Sequence, residues 1–324
     1  MRILSGIQPT GSIHIGSYIG AISQWKKLQE MGECLFFIAD LHALTSPQDP
    51  KDFSKQVVQT AIELVAAGLD PEKCIIFIQS EVKEHTELCW LLNTITPLGE
   101  LERMTQYKEK SRQFRNNLNA GLLNYPILQA ADILLYQVDS VPVGQDQKQH
   151  LELTKNLARK FNQKYGKTFT VPESIILETG AKIMALDDPK KKMSKSEPTT
   201  CLFLFDEPEV IRKKVMSAVT DLGKNIKYDP IKKPGISNLL AIYSLMGQKS
   251  INEIEKKFKN KGYADFKKAL SELLVAELEP FRRKKKELLS REVYIKEILT
   301  QGRKRAGIIA QTTMADVRKK MGLI

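Results

Sequence analysis

Residues 187–196 form a short segment, DDPKKKMSKS, in which lysine is the commonest residue. Two residues separate Lys192 from Lys195, and Ser196 ends the segment, so small hydroxyl groups alternate with fixed cations. Ammonium groups bind phosphates as point charges. The spacing therefore favours a loop that holds a polyphosphate, although a solvated charge run would have a similar composition. Lys190 and Lys191 are expected to be mainly solvated.

A second candidate anion site lies in SGIQPTGSIHIGSYIG at 5–20. A strand is predicted to end near Ile7, and a helix is predicted to begin close to Gly16 after a turn. The N–H groups and the dipole of a helix start attract anions, and Gly11 and Gly16 allow a ligand to approach the backbone. The segment matches neither GxGxxG nor a Walker P-loop, so alone it favours a nucleotide only weakly.

The other reactive side chains do not predict a metal centre or a protein nucleophile. The cysteines at 34, 74, 89 and 201 include no CxxC pair, and the histidines at 14, 42, 85 and 150 form no ligand pattern with them. Structural zinc and a disulfide framework are therefore not expected. The sequence also contains no GxSxG elbow. We expect reduced thiols packed as small apolar side chains.

Positive charge is concentrated in the last third of the chain. The net charge is +12; residues 1–196 carry 23 Lys+Arg against 22 Asp+Glu, and residues 197–324 carry 27 against 16. This asymmetry favours an anionic partner, nucleic acid before membrane, because no strongly apolar helical face accompanies it. A lysine-rich helical domain without such a partner would look the same. Likewise, residues 282–286 (RRKKK) are either a phosphate-binding patch or an exposed helix face.

Predicted strands and helices alternate through the first half of the chain, and they could position the candidate anion-binding residues. Apolar runs at 3–7, 34–39 and 74–79 predict strands with helices between them, the second helix beginning at Asp49-Pro50 and ending at Gly68. This order predicts a parallel sheet. A mostly helical insertion follows at about 81–136, then a strand at 141–144 and a helix that ends at Gly166. After residue 198 only helical periodicity and turns are evident.

The predicted fold class is therefore α/β: a Rossmann-like parallel-sheet catalytic domain with a helical insertion, followed by an all-helical C-terminal domain. The length of 324 residues allows two domains, which we place at 1–196 and 197–324. No apolar run approaches the ~18–20 residues of a membrane helix, and the N-terminus does not resemble a secretory signal. We expect a cytoplasmic protein without a membrane partner.

Two of these segments resemble the signatures of class I aminoacyl-tRNA synthetases. His14-Ile15-Gly16-Ser17 resembles their HIGH motif, and residues 192–196 are their KMSKS motif. The resemblance narrows to the bacterial-type tryptophanyl-tRNA synthetase family, since it extends over residues 5 to about 240. The tyrosyl-tRNA synthetases share the fold but not this set of segments, which comprises SGIQPTGSIHIGSYIGA, FIQSEV, GELERMTQYKEKS, AADILLY, VPVGQDQKQHLELT, KKMSKS, SAVTD and KPGISNLL.

The resemblance implies ATP-dependent activation of L-tryptophan to tryptophanyl-adenylate, release of pyrophosphate, and transfer to tRNA(Trp). It also implies Mg²⁺ bound with ATP rather than by a dedicated cluster of protein ligands, a homodimer formed through the insertion, and a tRNA anticodon-binding role for the basic C-terminal helices. No protein nucleophile is needed, so catalysis depends on alignment of the reactants and on cations that face the leaving group. Lys192, Lys195 and His14 are the implied catalytic residues.

For ATP, the resemblance implies binding residues in both signatures and in the segment that follows the fourth predicted strand. They are Gln8, Pro9, Thr10, Gly16, Ser17, Gly144, Gln145, Asp146, Ile183, Lys192, Met193, Ser194, Lys195 and Ser196. The sequence departs from the usual family residues at Ser17, where asparagine is common, and at Gln145, where glutamate is common. Gln145 is uncharged and cannot supply a carboxylate at this position.

For the amino acid, Asp132 is implied to accept the indole N–H, and Tyr125 and Gln147 to bind the α-amino group. The implied wall consists of Leu4, His42, Gln129, Val141 and Val143. A polar group at the end of an apolar pocket rejects analogues that lack its partner. Gln129 departs from the usual methionine.

Three other functions fit parts of the sequence. A pantothenate-synthetase-like ligase could use a similar His-Ile-Gly turn, but it would not predict KMSKS followed by a basic helical third. A non-catalytic RNA-binding relative would keep the basic helices without needing Lys192, Lys195 or Asp132. A tyrosine-specific enzyme would keep the mechanism and change the pocket.

Overall fold

The computed structural model describes residues 1–108, 119–144, 147–176, 182–195, 197–223 and 225–323. Three predicted ATP-binding residues, Gln145, Asp146 and Ser196, lie outside these ranges.

Five parallel strands form one sheet in the order β3-β2-β1-β4-β5. They are β1 Arg2–Ile7, β2 Glu33–Ile38, β3 Cys74–Ile78, β4 Ser140–Val143 and β5 Glu173–Ile176. The first four correspond to the predicted strands, and the parallel sheet is confirmed. The sequence analysis missed β5, because this short strand at the sheet edge has exposed Glu173 and Ser174 and therefore lacks a continuous apolar run.

Both faces of the sheet are covered, and side chains alternate between them with the period of two that strands impose. On β2, Cys34, Phe36 and Ile38 belong to one buried cluster. Leu35 and Phe37 belong to the cluster on the opposite face. This two-sided burial explains why the strands are continuous apolar runs in the sequence.

The helices of the first half follow local signals. They are α1 Ile15–Ser17, continued by a π-helical turn Tyr18–Ile22 and α2 Ser23–Leu28, then α3 Asp40–Ala43 and α4 Pro50–Ala66. Asp49 caps α4 by accepting a hydrogen bond from the Lys51 N–H at 2.9 Å. Gly68 follows α4 with φ +111°, a conformation that glycine adopts without strain.

The rest of the described chain is mainly helical. The insertion contains α5 Glu84–Asn93, α6 Leu98–Glu102 and α7 Ala120–Leu134, and α8 Lys148–Tyr165 follows β4. The C-terminal third contains α9 Pro208–Ser217, α10 Pro234–Gly247, α11 Ile251–Lys257, α12 Tyr263–Leu289 and α13 Glu292–Met321. Within the described residues, none of the helices combines the length and apolar character needed to cross a bilayer.

The last helix packs directly on the sheet. A Cβ added at Gly302 of α13 would lie 1.8 Å from the backbone oxygen of Ile76 in β3, so only glycine permits this approach. Further along α13, Arg318 donates to Glu87 of the insertion helix α5 at 2.6 Å. The C-terminal helices thus complete the hydrophobic core of the sheet. The domain division at 196/197 stays a prediction.

Candidate functional site

A cavity of about 320 Å³ opens at the carboxyl ends of β1, β2 and β4. The chain passes from β1 to β2 on one side, whereas β4 pairs with β1 on the other. Ligands of open α/β sheets bind at such a switch in strand order. All eight residues that the resemblance assigned to the amino acid line this one cavity: Leu4, His42, Tyr125, Gln129, Asp132, Val141, Val143 and Gln147.

Asp132 is the buried carboxylate of the cavity, with 1% of its surface exposed. Its Oδ2 accepts a hydrogen bond from His42 Nε2 at 2.7 Å. Its Oδ1 accepts from the Gln79 amide at 2.7 Å and from His85 Nδ1 at 2.6 Å. An ionised carboxylate has about four acceptor positions, so these three donors leave one acceptor position, on Oδ2, for a donor in the cavity.

The surroundings of Asp132 keep it ionised. Burial alone would raise its pKa, but the attraction of His42 and the hydrogen bonds from His42 and His85 outweigh burial and lower the pKa to about 2. The carboxylate is therefore a hydrogen-bond acceptor throughout the neutral range. A buried acceptor of this kind favours a ligand that presents an N–H to it.

A second layer of buried side chains orients His85. Its Nε2 lies 2.7 Å from the hydroxyl of Tyr136, which is fully buried. Burial and the charge of Asp132 raise the pKa of Tyr136 well above its ordinary value, so the hydroxyl keeps its proton. Because an ionised carboxylate only accepts, His85 Nδ1 is the donor to Asp132, and the Nε2 of a neutral His85 accepts from the Tyr136 hydroxyl.

The sequence analysis missed Gln79, His85 and Tyr136. Gln79 and His85 are 53 and 47 residues from Asp132, and no local pattern joins them. Only the fold brings Gln79 and His85 to Asp132. Two segments quoted for the resemblance contained a signal: FIQSEV includes Gln79, and AADILLY includes Tyr136 together with Asp132.

Polar side chains line the side of the cavity next to α8. The Tyr125 hydroxyl donates to the Gln106 side-chain oxygen at 2.9 Å and lies 2.8 Å from His150 Nε2. Gln129 donates to the Gln147 side-chain oxygen at 3.2 Å. Gln129, predicted as part of the apolar wall, is therefore a hydrogen-bond partner of Gln147.

The N-terminal signature holds its histidine through Ser17. The backbone N–H of Ser17 donates to His14 Nδ1 at 3.2 Å, and the Ser17 hydroxyl lies 2.8 Å from Nε2. Since Nδ1 accepts, a neutral His14 carries its proton on Nε2. Burial, followed by the charges of Lys195 and Lys192, lowers the pKa of His14 to about 4, so the imidazole is neutral at pH 7.

Some of the N–H groups at the start of α1 already have partners inside the fold. Ile15 N–H donates to the Leu202 oxygen at 2.9 Å, and Ser17 N–H donates to His14 Nδ1 at 3.2 Å. These bonds use two of the donors that a helix start leaves unpaired. Cationic side chains are therefore the stronger candidates for phosphate binding.

The second signature lies against the first. Lys195 Nζ donates to the Gly11 oxygen at 2.9 Å, and Gly11 has φ +106°. Burial lowers the pKa of Lys195, and the negative charge of Glu63 opposes this effect. Lys192 is exposed. The fold thus brings together two segments about 180 residues apart in the sequence.

Two other predicted ATP residues of this region are buried. Ile183 and Met193 are each 3% exposed, and the Met193 N–H donates to the Ile183 oxygen at 3.0 Å. A Cβ on Gly16 would lie 3.5 Å from the Ile183 side chain, so Ile183 lies directly beside the N-terminal signature. Gln8, Thr10, Gly144 and Ser194 are exposed, whereas Pro9 is buried.

In the part of the chain that the structure describes, no group of three or more His, Cys, Asp or Glu side chains is arranged to hold a metal ion. The four cysteines are free, and Cys34, Cys74 and Cys201 are buried.

The basic run at 282–286 is divided between internal and exposed roles. Arg282 donates to the Val275 oxygen at 2.7 Å, and Lys284 pairs with Glu287 at 3.1 Å. Lys285 pairs with the buried Glu63 at 2.8 Å. Arg283 and Lys286 are exposed. The run is therefore neither a uniform patch nor a uniformly solvated face.

Comparisons with known proteins show the family to which the chain belongs. A model of the family "tRNA synthetases class I (W and Y)" matches residues 1–279. A tryptophan–tRNA ligase of Helicobacter pylori is 50% identical over 325 residues, covering 100% of this chain and 99% of that protein. A tryptophan–tRNA ligase of Caldanaerobacter subterraneus subsp. tengcongensis is 48% identical, covering 100% and 98%.

Among solved structures, tryptophanyl-tRNA synthetase from Campylobacter jejuni, complexed with ADP and tryptophan, has a TM-score of 0.87 to this chain. It is 37% identical, and the match covers 99% of this chain and 100% of that one.

Proposed function

The chain belongs to the class I tRNA synthetases of the tryptophan and tyrosine group, and from that membership we propose how its residues divide the reaction. The protein is a tryptophan-specific enzyme. It activates L-tryptophan with ATP, releasing pyrophosphate, and then transfers tryptophan to tRNA(Trp). These relatives argue against the three other functions considered from the sequence: a ligase outside tRNA charging, a protein that only binds RNA, and a tyrosine-specific enzyme.

The observation that carries the site assignment is the state of Asp132. This carboxylate is buried, ionised and held by three donors, with an acceptor position left on Oδ2 beside His42. We assign that position to the indole N–H of tryptophan. An amino acid without this N–H would leave a buried acceptor unpaired, at a cost of about 1–3 kcal/mol or more for a charged group.

The amino end of tryptophan is assigned to Tyr125 and Gln147, whose polar atoms line the cavity near Gln129. Leu4, Val141 and Val143 are proposed to contact the indole ring, since they supply apolar surface on the sheet side of the cavity. Catalysis in the first step is then a matter of holding the carboxylate of tryptophan in line with the α-phosphate.

ATP is proposed to bind between the two signature loops, with Lys195 and Lys192 stabilising the charge that grows on the leaving pyrophosphate. The hydrogen bond of Lys195 to the Gly11 oxygen supports this assignment, and His14, which is neutral at neutral pH, adds no charge of its own. Gln8, Pro9, Thr10, Gly16, Ser17, Gly144, Ile183, Met193 and Ser194 are the remaining proposed contacts in the described residues. Gln145, Asp146 and Ser196 stay predictions from the sequence.

Mg²⁺ is proposed to accompany ATP. Mg²⁺ commonly binds through substrate phosphates and retained waters, which suits a site whose described residues contain no cluster of metal ligands. When bound, the ion would neutralise part of the phosphate charge. The protein residues proposed for the same task are Lys192 and Lys195.

The C-terminal helices are proposed to bind tRNA(Trp), in a domain at 197–324, with exposed Arg283 and Lys286 among the phosphate contacts. Phosphate contacts make affinity salt-dependent. Replacing Lys286 by alanine should therefore weaken binding and reduce the slope of log affinity against log salt concentration by about 1.

A homodimer formed through the insertion at 81–136 is also proposed. Trp90 on α5 is 71% exposed and Leu98 on α6 is 59% exposed, so this segment offers apolar side chains that a partner subunit could cover. Trp90→Glu should convert the dimer to a monomer in sedimentation experiments.

Because charging of tRNA takes place where translation does, the proposed location is the cytoplasm.

The test of this function is ATP–pyrophosphate exchange without tRNA, run in parallel with tryptophan, tyrosine and phenylalanine. We expect exchange with tryptophan alone. Lys195→Ala should lower kcat by on the order of 100-fold or more, in line with loss of a transition-state donor. Asp132→Ala should mainly raise the KM for tryptophan. Exchange with tyrosine would contradict the assignment of the pocket.

A further inference from the structure

A buried carboxylate to which the proposed function gives no role lies next to residues 11–14, the segment that leads into the N-terminal signature. We call this segment the nucleotide loop. Glu63, near the end of α4, is 1% exposed. It accepts hydrogen bonds from the Ser12 hydroxyl at 2.6 Å, the Ile13 N–H at 2.8 Å and the Gln59 amide at 3.3 Å. Ser12 and Ile13 immediately precede His14, so Glu63 fixes the backbone that leads into the N-terminal signature.

The counter-ion of Glu63 comes from the C-terminal helices. Lys285 of α12 donates to Glu63 Oε1 at 2.8 Å, across 222 residues of sequence. The side chain of Lys285 is only 16% exposed. Loss of one partner from a buried pair leaves the other charge uncompensated. Lys285 therefore supplies the positive charge that compensates the buried Glu63 carboxylate.

Other contacts hold the same loop from the opposite side. The Leu204 N–H donates to the Ile13 oxygen at 2.8 Å, and the Ile15 N–H donates to the Leu202 oxygen at 2.9 Å. The ammonium of Lys285 lies 4.6 Å from the ring centroid of Phe205, which follows this paired segment. Lys285 thus contacts two groups that support the nucleotide loop. One is the Glu63 carboxylate, and the other is Phe205, next to the residues at 202–204 that bond to the backbone of Ile13 and Ile15.

The same carboxylate also acts on the second signature. Lys195 donates to the Gly11 oxygen, one residue before Ser12. The negative charge of Glu63 opposes the lowering of the Lys195 pKa by burial. Glu63 therefore supports the loop and favours the cationic form of the lysine that faces ATP.

We propose that Glu63 is a positioning residue for ATP and that Lys285 holds it, so that a helix of the tRNA-binding region directly fixes the nucleotide loop. The inference rests on the assignment of ATP to the two signature loops under the proposed function. None of these contacts involves a residue that lines the tryptophan cavity. A change at the Glu63–Lys285 pair should therefore alter the use of ATP and leave the binding of tryptophan unchanged.

The experiment is ATP–pyrophosphate exchange on the full-length protein, with separate KM values for ATP and for tryptophan. Lys285→Met should raise the KM for ATP about tenfold, the effect of losing roughly one charge-assisted hydrogen bond between the displaced loop and ATP. The KM for tryptophan should stay within about twofold. Lys285→Arg keeps the charge and should stay close to the parent protein.

Lys284→Met is the matched control. Lys284 lies next to Lys285 on α12 but pairs with Glu287 of the same helix, so its loss should leave both KM values unchanged. If Lys285→Met raises the KM for ATP no more than Lys284→Met does, or raises both KM values equally, the inference is overturned.

The double variant Glu63→Gln/Lys285→Met keeps the test valid if Lys285→Met does not fold, because it leaves no unpaired charge. We expect it to melt near the parent protein and still to show a raised KM for ATP. A parental KM for ATP would mean that the pair only compensates buried charge, which would contradict the inference. Absence of tryptophan-dependent exchange in the parent protein would instead refute the proposed function, and with it the premise of the inference.

Discussion

His42 and Asp132 meet at the floor of the cavity although 90 residues separate them in sequence, with Nε2 2.7 Å from Oδ2. The imidazole donates to Oδ2, the oxygen that we assign to the indole N–H, while Gln79 and His85 donate to Oδ1. The orientation of the carboxylate is therefore fixed before any ligand arrives, which is the form of preorganisation that gives specificity.

The ionised state of Asp132 should be visible in the acid stability of the protein. Its pKa in the folded protein, about 2, is below the ordinary value of 3.8, so its contribution is fully present above pH 3.8 and is lost as pH falls through 2. That contribution is about 2 kcal/mol. Urea unfolding of the parent protein and Asp132→Asn should show a free-energy difference that narrows below pH 4. A constant difference between pH 5 and pH 2 would contradict this expectation.

His14 should titrate well below an ordinary histidine. With a pKa of about 4 in the folded protein against 6.5, its neutral form stabilises the fold above pH 6.5. That contribution, about 3 kcal/mol, declines as pH falls towards 4. NMR titration of the ring should place the midpoint near pH 4, and Lys195→Met should raise it by removing a neighbouring cation. A midpoint near 6.5 would show that the ring is neither buried nor close to these lysines.

Gly302 should tolerate no side chain. Its added Cβ would collide with the Ile76 oxygen, so Gly302→Ala should destabilise the protein by about 1–3 kcal/mol or more. Among the described residues, nothing lies within 4 Å of a Cβ added at Gly307 in the same helix, and Gly307→Ala should be neutral or stabilise by up to about 1 kcal/mol. Thermal melting of the two variants compares them directly; equal melting temperatures would contradict the close approach of α13 to β3.

Gln129 should act through Gln147. Gln129→Met removes the donor to the Gln147 side-chain oxygen, and a lost hydrogen bond costs about 1 kcal/mol, or roughly fivefold in affinity. The KM for tryptophan in the exchange reaction should rise by about that factor with little change in kcat. If Gln129 only formed part of the cavity wall, the methionine variant would have an unchanged or lower KM for tryptophan.

Local patterns were sufficient to predict the sheet core and several helix ends. The runs at 34–39 and 74–79 are almost wholly buried on both faces, and a strand of this kind is visible in sequence as a continuous apolar segment. The Asp49-Pro50 cap and the stop at Gly68 act within a few residues, so they too are visible. The edge strand β5 has no such signal, because its exposed residues interrupt the pattern.

The supporting residues of the site depend on long-range packing. His85 and Gln79 reach Asp132 only in the fold, and Lys285 reaches Glu63 across the chain. One sequence signal was present: Glu63 lies between Ile62 and Leu64 in the buried part of α4, where a charge requires partners. The identity of those partners required the structure.

The central claim, that Asp132 recognises the indole N–H, is tested most directly with an analogue in which sulfur replaces that N–H. The measurement is kcat/KM in ATP–pyrophosphate exchange for L-tryptophan and for L-3-(3-benzothienyl)alanine. The parent protein should prefer tryptophan by on the order of 100-fold or more, since a site built around a polar pair rejects a ligand that lacks its donor. Asp132→Asn should lose most of that preference. Equal kcat/KM values for the two amino acids in the parent protein would contradict the claim.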